Sequence, residues 1–206
     1  MAELRLLALG DSYTIGEGVA PTQAWPAQLA RALSKCGYAC AAPTVLARTG
    51  WTAEELLATL APATLAPPYD LVTLQIGVND QYRERAPGEF QRDFDTLLAH
   101  ALRLAGERAT RVLGVSIPDW GVTPFAKQDA RSSQTIAAAI DRFNALAQTR
   151  VLRGGAGWVD VTACSRRAGR APGQLCADGL HPGAAQYARW VDSALLPAIL
   201  HQLQRG

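Results

Sequence analysis

The stretch LRLLALGDSYTIGEG, residues 4–18, joins an apolar run to a glycine-rich turn that contains a serine. The run Leu4 to Leu9 predicts a buried β-strand that ends at Gly10. Parallel sheets bind ligands beyond the carboxyl ends of their strands, where a serine hydroxyl can face a cleft. Ser12 is therefore a candidate nucleophile, and the alternative is that Gly-Asp-Ser forms an ordinary turn.

The overall composition is that of a soluble globular enzyme. The 206 residues fit one domain spanning residues 1–206, and the apolar fraction of 49% excludes a disordered chain. No apolar run is long enough to span a membrane. A net charge of +2 argues against a nucleic-acid partner. Because the first strand begins at about Leu4, no room is left for a signal peptide and we expect a cytoplasmic protein; an exported, trimmed form is the alternative.

The four cysteines, Cys36, Cys40, Cys164 and Cys176, do not have the spacing of a zinc site, so we expect no structural metal. Free thiols are favoured for Cys164 and Cys176, with a disulfide as the alternative in an oxidising compartment.

Three arginines, Arg166, Arg167 and Arg170, are clustered in a segment that we expect to be a polar loop. Such a cluster is usually solvated. The alternative is that it attracts an acidic substrate.

Short apolar runs alternate with longer amphipathic segments along the whole chain. We expect strands over residues 4–9, 41–46, 71–76, 112–117 and 157–161, and helices over residues 25–36, 52–60, 87–106, 133–152 and from Pro182 onward. This alternation predicts an α/β fold with three α/β/α layers around a five-stranded parallel sheet. The flavodoxin-like strand order 2-1-3-4-5 is expected.

Functional residue types follow the predicted strands at one edge of this sheet. Ser12 follows strand one, and Thr49-Gly50-Trp51 follows strand two. Gly77-Val78-Asn79-Asp80 follows strand three, and Asp178-Gly179-Leu180-His181-Pro182 follows strand five.

His181 is the candidate base for Ser12, because a serine hydroxyl needs an adjacent base at neutral pH. The other two histidines, His100 and His201, lie in predicted helices. Asp178 precedes His181 by three residues and can accept the second ring N–H, which would orient the imidazole.

An oxyanion formed during acyl transfer needs fixed hydrogen-bond donors. The N–H groups of Ser12 and Gly50 and the side-chain amide of Asn79 are the candidates. Each has an ordinary alternative, since Gly50 suits a turn, Asn79 suits a cap and Asp178-Gly179 is a common turn pair. Their coincidence at one edge favours the catalytic interpretation.

These residues resemble the GDSL, or SGNH, hydrolase family, whose four short blocks occur here in order. The blocks are Gly10-Asp11-Ser12-Tyr13, then Gly50, then Gly77-Val78-Asn79-Asp80, then Asp178-Gly179-Leu180-His181. Tyr13 replaces the leucine of the family's name. The resemblance implies a cofactor-free serine ester hydrolase with nucleophile Ser12, base His181 and orienting residue Asp178, and with oxyanion donors Ser12, Gly50 and Asn79. Asp11 and Asp80 are expected to be structural.

The substrate pocket is predicted from aromatic side chains near the same edge, namely Tyr13, Trp51, Tyr82, Trp120 and Phe125. We expect a small-molecule, short-chain carboxylic ester as substrate. Acetylated carbohydrates, lysophospholipids and thioesters are alternatives within the family. An alternative of another class is a flavodoxin-like phosphate- or nucleotide-binding protein, with residues 12–18 around the phosphate.

Overall fold

Five parallel strands form the centre of the fold, in the order β2-β1-β3-β4-β5. They are β1 (Leu6–Gly10), β2 (Thr44–Ala47), β3 (Leu71–Gln75), β4 (Val112–Val115) and β5 (Gly157–Val159). The computed structural model describes residues 3–60, 63–169 and 171–204. The predicted strand order and parallel sheet are confirmed.

Helices cover both faces of the sheet. They are α1 (Ser12–Ile15), α2 (Trp25–Lys35), α3 (Ala53–Leu60), α4 (Val78–Tyr82), α5 (Pro87–Leu104), α6 (Ser133–Arg153), α7 (Thr162–Ala168), α8 (Ala184–Trp190) and α9 (Leu196–Leu203), with a π-helical turn (Val191–Leu195) joining α8 to α9. Short 3₁₀ turns occupy Pro21–Gln23, Ala109–Arg111, Trp120–Val122 and Pro124–Gln128. Helix α2 packs with α8 and α9, whereas α5 packs with α3 and α6. These two groups are the outer layers of the α/β/α fold.

The burial of the strands follows from this covering. Every residue of β1 and β3 is buried, as expected for central strands between two helical layers. Edge strand β2 leaves Thr44 and Val45 exposed. The large aromatic side chains of the core come from both helical layers: Trp25, Tyr187 and Trp190 from one, and Phe90, Phe94 and Phe143 from the other.

Several predicted boundaries are corrected by the structure. Strand β2 begins at Thr44 instead of residue 41, although Leu4 and Cys40 form an isolated bridge ahead of it. The helix expected from Pro182 begins two residues later, at Ala184, as α8. The segment expected to be a polar loop contains α7, which carries Arg166 and Arg167. Arg170 lies outside the described residues.

Membrane-spanning helices and metal-binding clusters are absent from the described part of the chain, and its cysteines are unpaired. No described helix is both long and apolar enough to cross a membrane. Within residues 3–60, 63–169 and 171–204, no cluster of acidic, histidine and cysteine side chains is suited to hold a metal ion. All four cysteines are free thiols.

Candidate active site

Ser12 lies at the amino end of α1, directly beyond β1. Asp11 caps this helix, and its Oδ1 accepts a hydrogen bond of 3.0 Å from the Tyr13 N–H. The turn is tightly packed, because a Cβ added to Gly10 would come within 2.1 Å of Thr14 Oγ1. Ser12 is 5% exposed, so its position is fixed while its side chain still reaches the sheet edge.

Beneath this turn, Gln75 at the end of β3 connects several elements. Its Oε1 accepts hydrogen bonds from Thr14 Oγ1 (3.2 Å) and Trp25 Nε1 (3.1 Å). Its Nε2 donates to the Ser116 carbonyl at 3.2 Å. This role was not predicted from the sequence, where the only signal is an amide at the end of a mainly apolar strand.

Ser12, His181 and Asp178 form a continuous hydrogen-bonded chain. Ser12 Oγ is 2.9 Å from His181 Nε2, and His181 Nδ1 is 2.6 Å from Asp178 Oδ2. A carboxylate only accepts hydrogen bonds, so Nδ1 carries a proton and the neutral ring leaves Nε2 free to accept from the serine.

The Asp178 carboxylate is also held by main-chain donors. Its Oδ1 accepts from the N–H groups of Leu180 (2.9 Å) and His181 (3.0 Å). Burial acts to raise the pKa of Asp178, but the hydrogen bonds from His181 and Leu180 outweigh it and keep the pKa below its ordinary value. The carboxylate is therefore maintained in its ionised form beside the imidazole.

Gly50 and Asn79 lie at the same edge and are fixed by specific contacts. Gly50 has a φ of 84°, a conformation that favours glycine. Its carbonyl accepts from Arg83 Nη2 at 2.6 Å, and no described group accepts its N–H. Asn79 Nδ2 donates one hydrogen bond of 2.8 Å to the Trp51 carbonyl. An amide nitrogen has two hydrogens, so a second donor remains available.

Asp80, next to Asn79, is a buried connection between helices. Its Oδ2 accepts from the Ala53 N–H and its Oδ1 from Arg85 Nη1, both at 2.9 Å. Burial raises the pKa of Asp80, opposed by the Ala53 N–H and the Arg85 charge. These contacts tie the start of α3 to α4 and match the expected structural role.

A cavity of about 160 Å³ opens beside Ser12 and His181. Its lining consists of Ser12, Tyr13, Thr49, Gly50, Val78, Asn79, Tyr82, Trp120, Phe125, Leu180 and His181. Four of the five aromatic residues predicted for the pocket are in this set. Trp51 is not, and this prediction is corrected: its ring packs against the core, while its carbonyl holds Asn79.

Three of the lining aromatics form a contiguous group that we call the aromatic wall: Tyr82, Trp120 and Phe125. The ring centroid of Trp120 lies 5.4 Å from that of Tyr82 and 6.2 Å from that of Phe125, both edge-to-face. Such geometry is favourable for aromatic pairs. The cavity therefore has one apolar side made of rings that pack on one another.

Arg166 and Arg167 are not part of this cavity. Arg166 forms ion pairs with Asp119 (2.7 Å) and Asp141 (2.9 Å), and Arg167 Nη2 lies 3.2 Å from Cys164 Sγ. Among the described residues, no lysine or arginine lines the cavity. Of the remaining histidines, His100 lies on α5 and His201 lines a different cavity beside Trp158.

The sequence model described as GDSL-like lipase/acylhydrolase family matches residues 8–189. The chain belongs to this family. Membership makes this hydrolase a carboxylic ester hydrolase, so the flavodoxin-like binding protein considered above is the wrong class. Among curated proteins, no sequence matches this GDSL-family chain.

Solved structures share the fold of the GDSL hydrolase. One described as TesA has 23% identity and a TM-score of 0.73, with 96% of this chain and 99% of that chain covered. The lipase/acylhydrolase from Enterococcus faecalis has 21% identity and a TM-score of 0.68, with 98% and 94% covered. The acetyl xylan esterase AlAXEase has 15% identity and a TM-score of 0.73, with 95% and 100% covered. At these identities the likeness concerns the fold.

Proposed function

We propose that this GDSL hydrolase cleaves short-chain acyl esters through an acyl-enzyme intermediate on Ser12. The observation that carries the proposal is the chain from Ser12 Oγ to His181 Nε2 (2.9 Å) and from His181 Nδ1 to Asp178 Oδ2 (2.6 Å). Hydrogen bonds of this length allow proton transfer from a serine to a histidine base.

In the first half-reaction, Ser12 Oγ attacks the ester carbonyl while its proton moves to His181 Nε2. The Asp178 carboxylate stabilises the resulting imidazolium through its contact with Nδ1. The oxyanion accepts hydrogen bonds from the N–H groups of Ser12 and Gly50 and from the second Nδ2 hydrogen of Asn79. Collapse of the intermediate breaks the bond to the alcohol, which takes the proton from His181.

In the second half-reaction, water attacks the acyl-Ser12 carbonyl. His181 Nε2 accepts a proton from this water, and the same donors hold the second oxyanion. Cleavage of the bond to Ser12 Oγ releases the carboxylic acid, and the proton returns from His181 to the serine. The free enzyme is regenerated without a cofactor.

The choice of a short, neutral acyl group is supported by the size and lining of the cavity. A volume of about 160 Å³ is small beside the few hundred Å³ of sites for larger ligands. Its described lining contains no lysine or arginine, and Arg166 is already paired with Asp119 and Asp141. These features favour a neutral ester over a phosphate-bearing lipid.

Acetylated carbohydrate is a second candidate, favoured by Tyr82. This side chain lines the cavity and is 44% exposed, so one part of the ring is open to a sugar. A tyrosine ring offers an apolar face for the C–H groups of a sugar, and its hydroxyl can form hydrogen bonds with the sugar hydroxyls. A fold neighbour described as an acetyl xylan esterase is consistent with this candidate.

The test is hydrolysis of p-nitrophenyl acetate and of an acetylated xylooligosaccharide by the wild-type chain, Ser12→Ala and Ser34→Ala. Ser34 is an exposed serine on α2 whose hydroxyl donates to the Ala30 carbonyl, so it is a matched control. We expect Ser12→Ala to lose turnover of both substrates and Ser34→Ala to keep it. Turnover by Ser12→Ala at the wild-type rate would show that Ser12 is not the nucleophile.

A further inference from the structure

The indole of Trp120 separates the active-site cavity from a second space in the protein. Behind it lies a small cavity of about 10 Å³ with residues such as Pro118, Ser165 and Gln186 in its lining. Both cavities share three lining residues, Tyr13, Trp120 and Leu180. These side chains therefore form the partition between the two spaces.

Gln81 and Arg131 both contact the indole ring of Trp120 and constrain it. The indole is 2% exposed, and Nε1 donates a hydrogen bond of 2.7 Å to Gln81 Oε1. The Arg131 guanidinium lies 5.4 Å from the ring centroid, within the range of a cation–π contact. Asp129 fixes that guanidinium by accepting from Nε (2.9 Å) and Nη2 (2.8 Å).

The backbone beside Trp120 is held as firmly as its ring. The Asp119 N–H donates to Ser165 Oγ at 2.8 Å. Asp119 Oδ1 accepts from the Gly121 N–H at 2.9 Å, and Oδ2 accepts from Arg166 Nε at 2.7 Å. With both backbone and ring constrained, the indole cannot move aside for a longer ligand at low cost.

Among the described residues, the side chain of Gln81 has one hydrogen-bond partner, Trp120. It is 2% exposed, and its Oε1 accepts from Trp120, whereas Nε2 has no partner among the described residues. A buried amide with an unpartnered donor is unfavourable for stability. Its useful contact is therefore the one that orients Trp120.

We propose that Trp120 sets the upper length of the acyl chain that this hydrolase accepts, and that Gln81 is the positioning residue of this barrier. The inference rests on the proposed function, because it assigns the cavity to the acyl group. Removing the indole would add the volume of the ring itself to the active-site cavity and connect it to the small space behind, which lengthens the space open to the chain. Loss of the Gln81 acceptor would leave the indole in place but free to tilt.

The first experiment measures kcat/KM for p-nitrophenyl acetate, butyrate and octanoate. We expect Trp120→Ala to raise the ratio of octanoate to acetate about tenfold or more, since single methylenes in apolar pockets already change rates by such factors. Trp158→Ala is the matched control, because Trp158 lines a different cavity and is absent from the active-site lining. An unchanged ratio in folded Trp120→Ala would overturn the proposal.

The second experiment uses Gln81, so that the proposal stays testable if Trp120→Ala does not fold. Gln81→Leu should raise the octanoate-to-acetate ratio by less than Trp120→Ala does, because the indole stays but loses its acceptor. Gln81→Glu keeps an acceptor for Trp120 Nε1 and should retain a ratio close to that of the wild type. An unchanged ratio in folded Gln81→Leu would show that Gln81 acts on stability alone and would remove its positioning role.

Ser12→Ala separates failure of this proposal from failure of the proposed function. Combined with Trp120→Ala, it should remove octanoate turnover. If wild-type activity survives Ser12→Ala, the proposed function is wrong. If Ser12→Ala is inactive but neither Trp120→Ala nor Gln81→Leu changes the ratio, only the role of the barrier is wrong.

Discussion

The side-chain amide of Asn79 donates a hydrogen bond of 2.8 Å to the main-chain carbonyl of Trp51. This contact joins the loop after β2, which carries Gly50, to helix α4 after β3. It fixes the plane of the amide, and thereby the direction of the second Nδ2 hydrogen. Gly50 and Asn79, the two proposed oxyanion donors outside α1, are thus held relative to each other by this hydrogen bond.

Replacement of Asn79 by alanine tests its proposed role as an oxyanion donor. We expect Asn79→Ala to lower kcat for p-nitrophenyl acetate by roughly 10² to 10³, the loss typical of one oxyanion donor. Asn79→Asp keeps the shape but replaces the donor by an acceptor, so it should lose at least as much. A near-wild-type kcat in Asn79→Ala would remove Asn79 from this role.

Asp178→Asn tests the orientation of the imidazole. The amide cannot stabilise the imidazolium as a carboxylate does, and it favours the wrong ring tautomer, so we expect kcat to fall by roughly 10³ to 10⁴. The pKa of Asp178 lies below its ordinary value, so the wild-type carboxylate remains ionised in mildly acidic solution. Steady-state rates at pH 7 measure the effect, and a loss below tenfold would contradict it.

Asp11 gives a prediction about stability and pH. Burial raises its pKa from 3.8 to about 8, with the Tyr13 N–H opposing the shift and Asp80 adding to it. In the unfolded chain an aspartate ionises near pH about 4. Between these values the folded state binds the extra proton, so the free energy of unfolding falls as pH rises, by up to about 1.4 kcal/mol per pH unit.

Asp11→Asn removes this titration and retains an acceptor for the Tyr13 N–H. Relative to the wild type, its free energy of unfolding should increase from about pH 4 to the region of the raised pKa and then level off. Urea unfolding at several pH values measures the difference. A difference that does not vary with pH would show that Asp11 does not titrate in this way.

Arg166→Ala tests whether the arginine cluster serves the fold or the substrate. Asp119, 1% exposed, would lose its cation, and we expect the free energy of unfolding to fall by about 1 to 3 kcal/mol. Arg167→Ala is the matched control from the same helix and should change stability by about 0.5 kcal/mol or less. Urea unfolding gives both values.

The same variants report on substrate charge. Because the Arg166 guanidinium is absent from the cavity lining, Arg166→Ala should keep the wild-type ratio of rates for p-nitrophenyl acetate and a carboxylate-bearing aryl ester. A selective loss with the anionic ester would assign Arg166 to substrate binding.

The fold and the order of the strands were predictable because they depend on local patterns. Continuous apolar runs such as Leu6 to Leu9 identify buried parallel strands, and an amphipathic segment as long as α5 has several turns of periodicity. The motif residues could be predicted for the same reason, since each follows a strand and the carboxyl ends of parallel strands lie at one edge of the sheet.

The remaining features depend on length or on tertiary contact. Helices α1, α4 and α7 span four, five and seven residues, too few to show a helical period. Trp51 was assigned to the pocket from its position alone, but the direction of its ring is set by neighbours. The partners of Gln75 and Gln81 are distant in sequence, so only the folded chain shows what these amides do.

The hydrogen bonds of Gln75 to Thr14, Trp25 and Ser116 have a consequence for altering this enzyme. They anchor the nucleophile turn to α2 and the central strands, whereas the indole of Trp120 is anchored from α4, α7 and the loop at Arg131. The turn with Ser12 and the proposed acyl barrier are thus held by different direct contacts. We expect substitutions around Trp120 to change the acyl preference while Ser12, His181 and Asp178 keep their geometry.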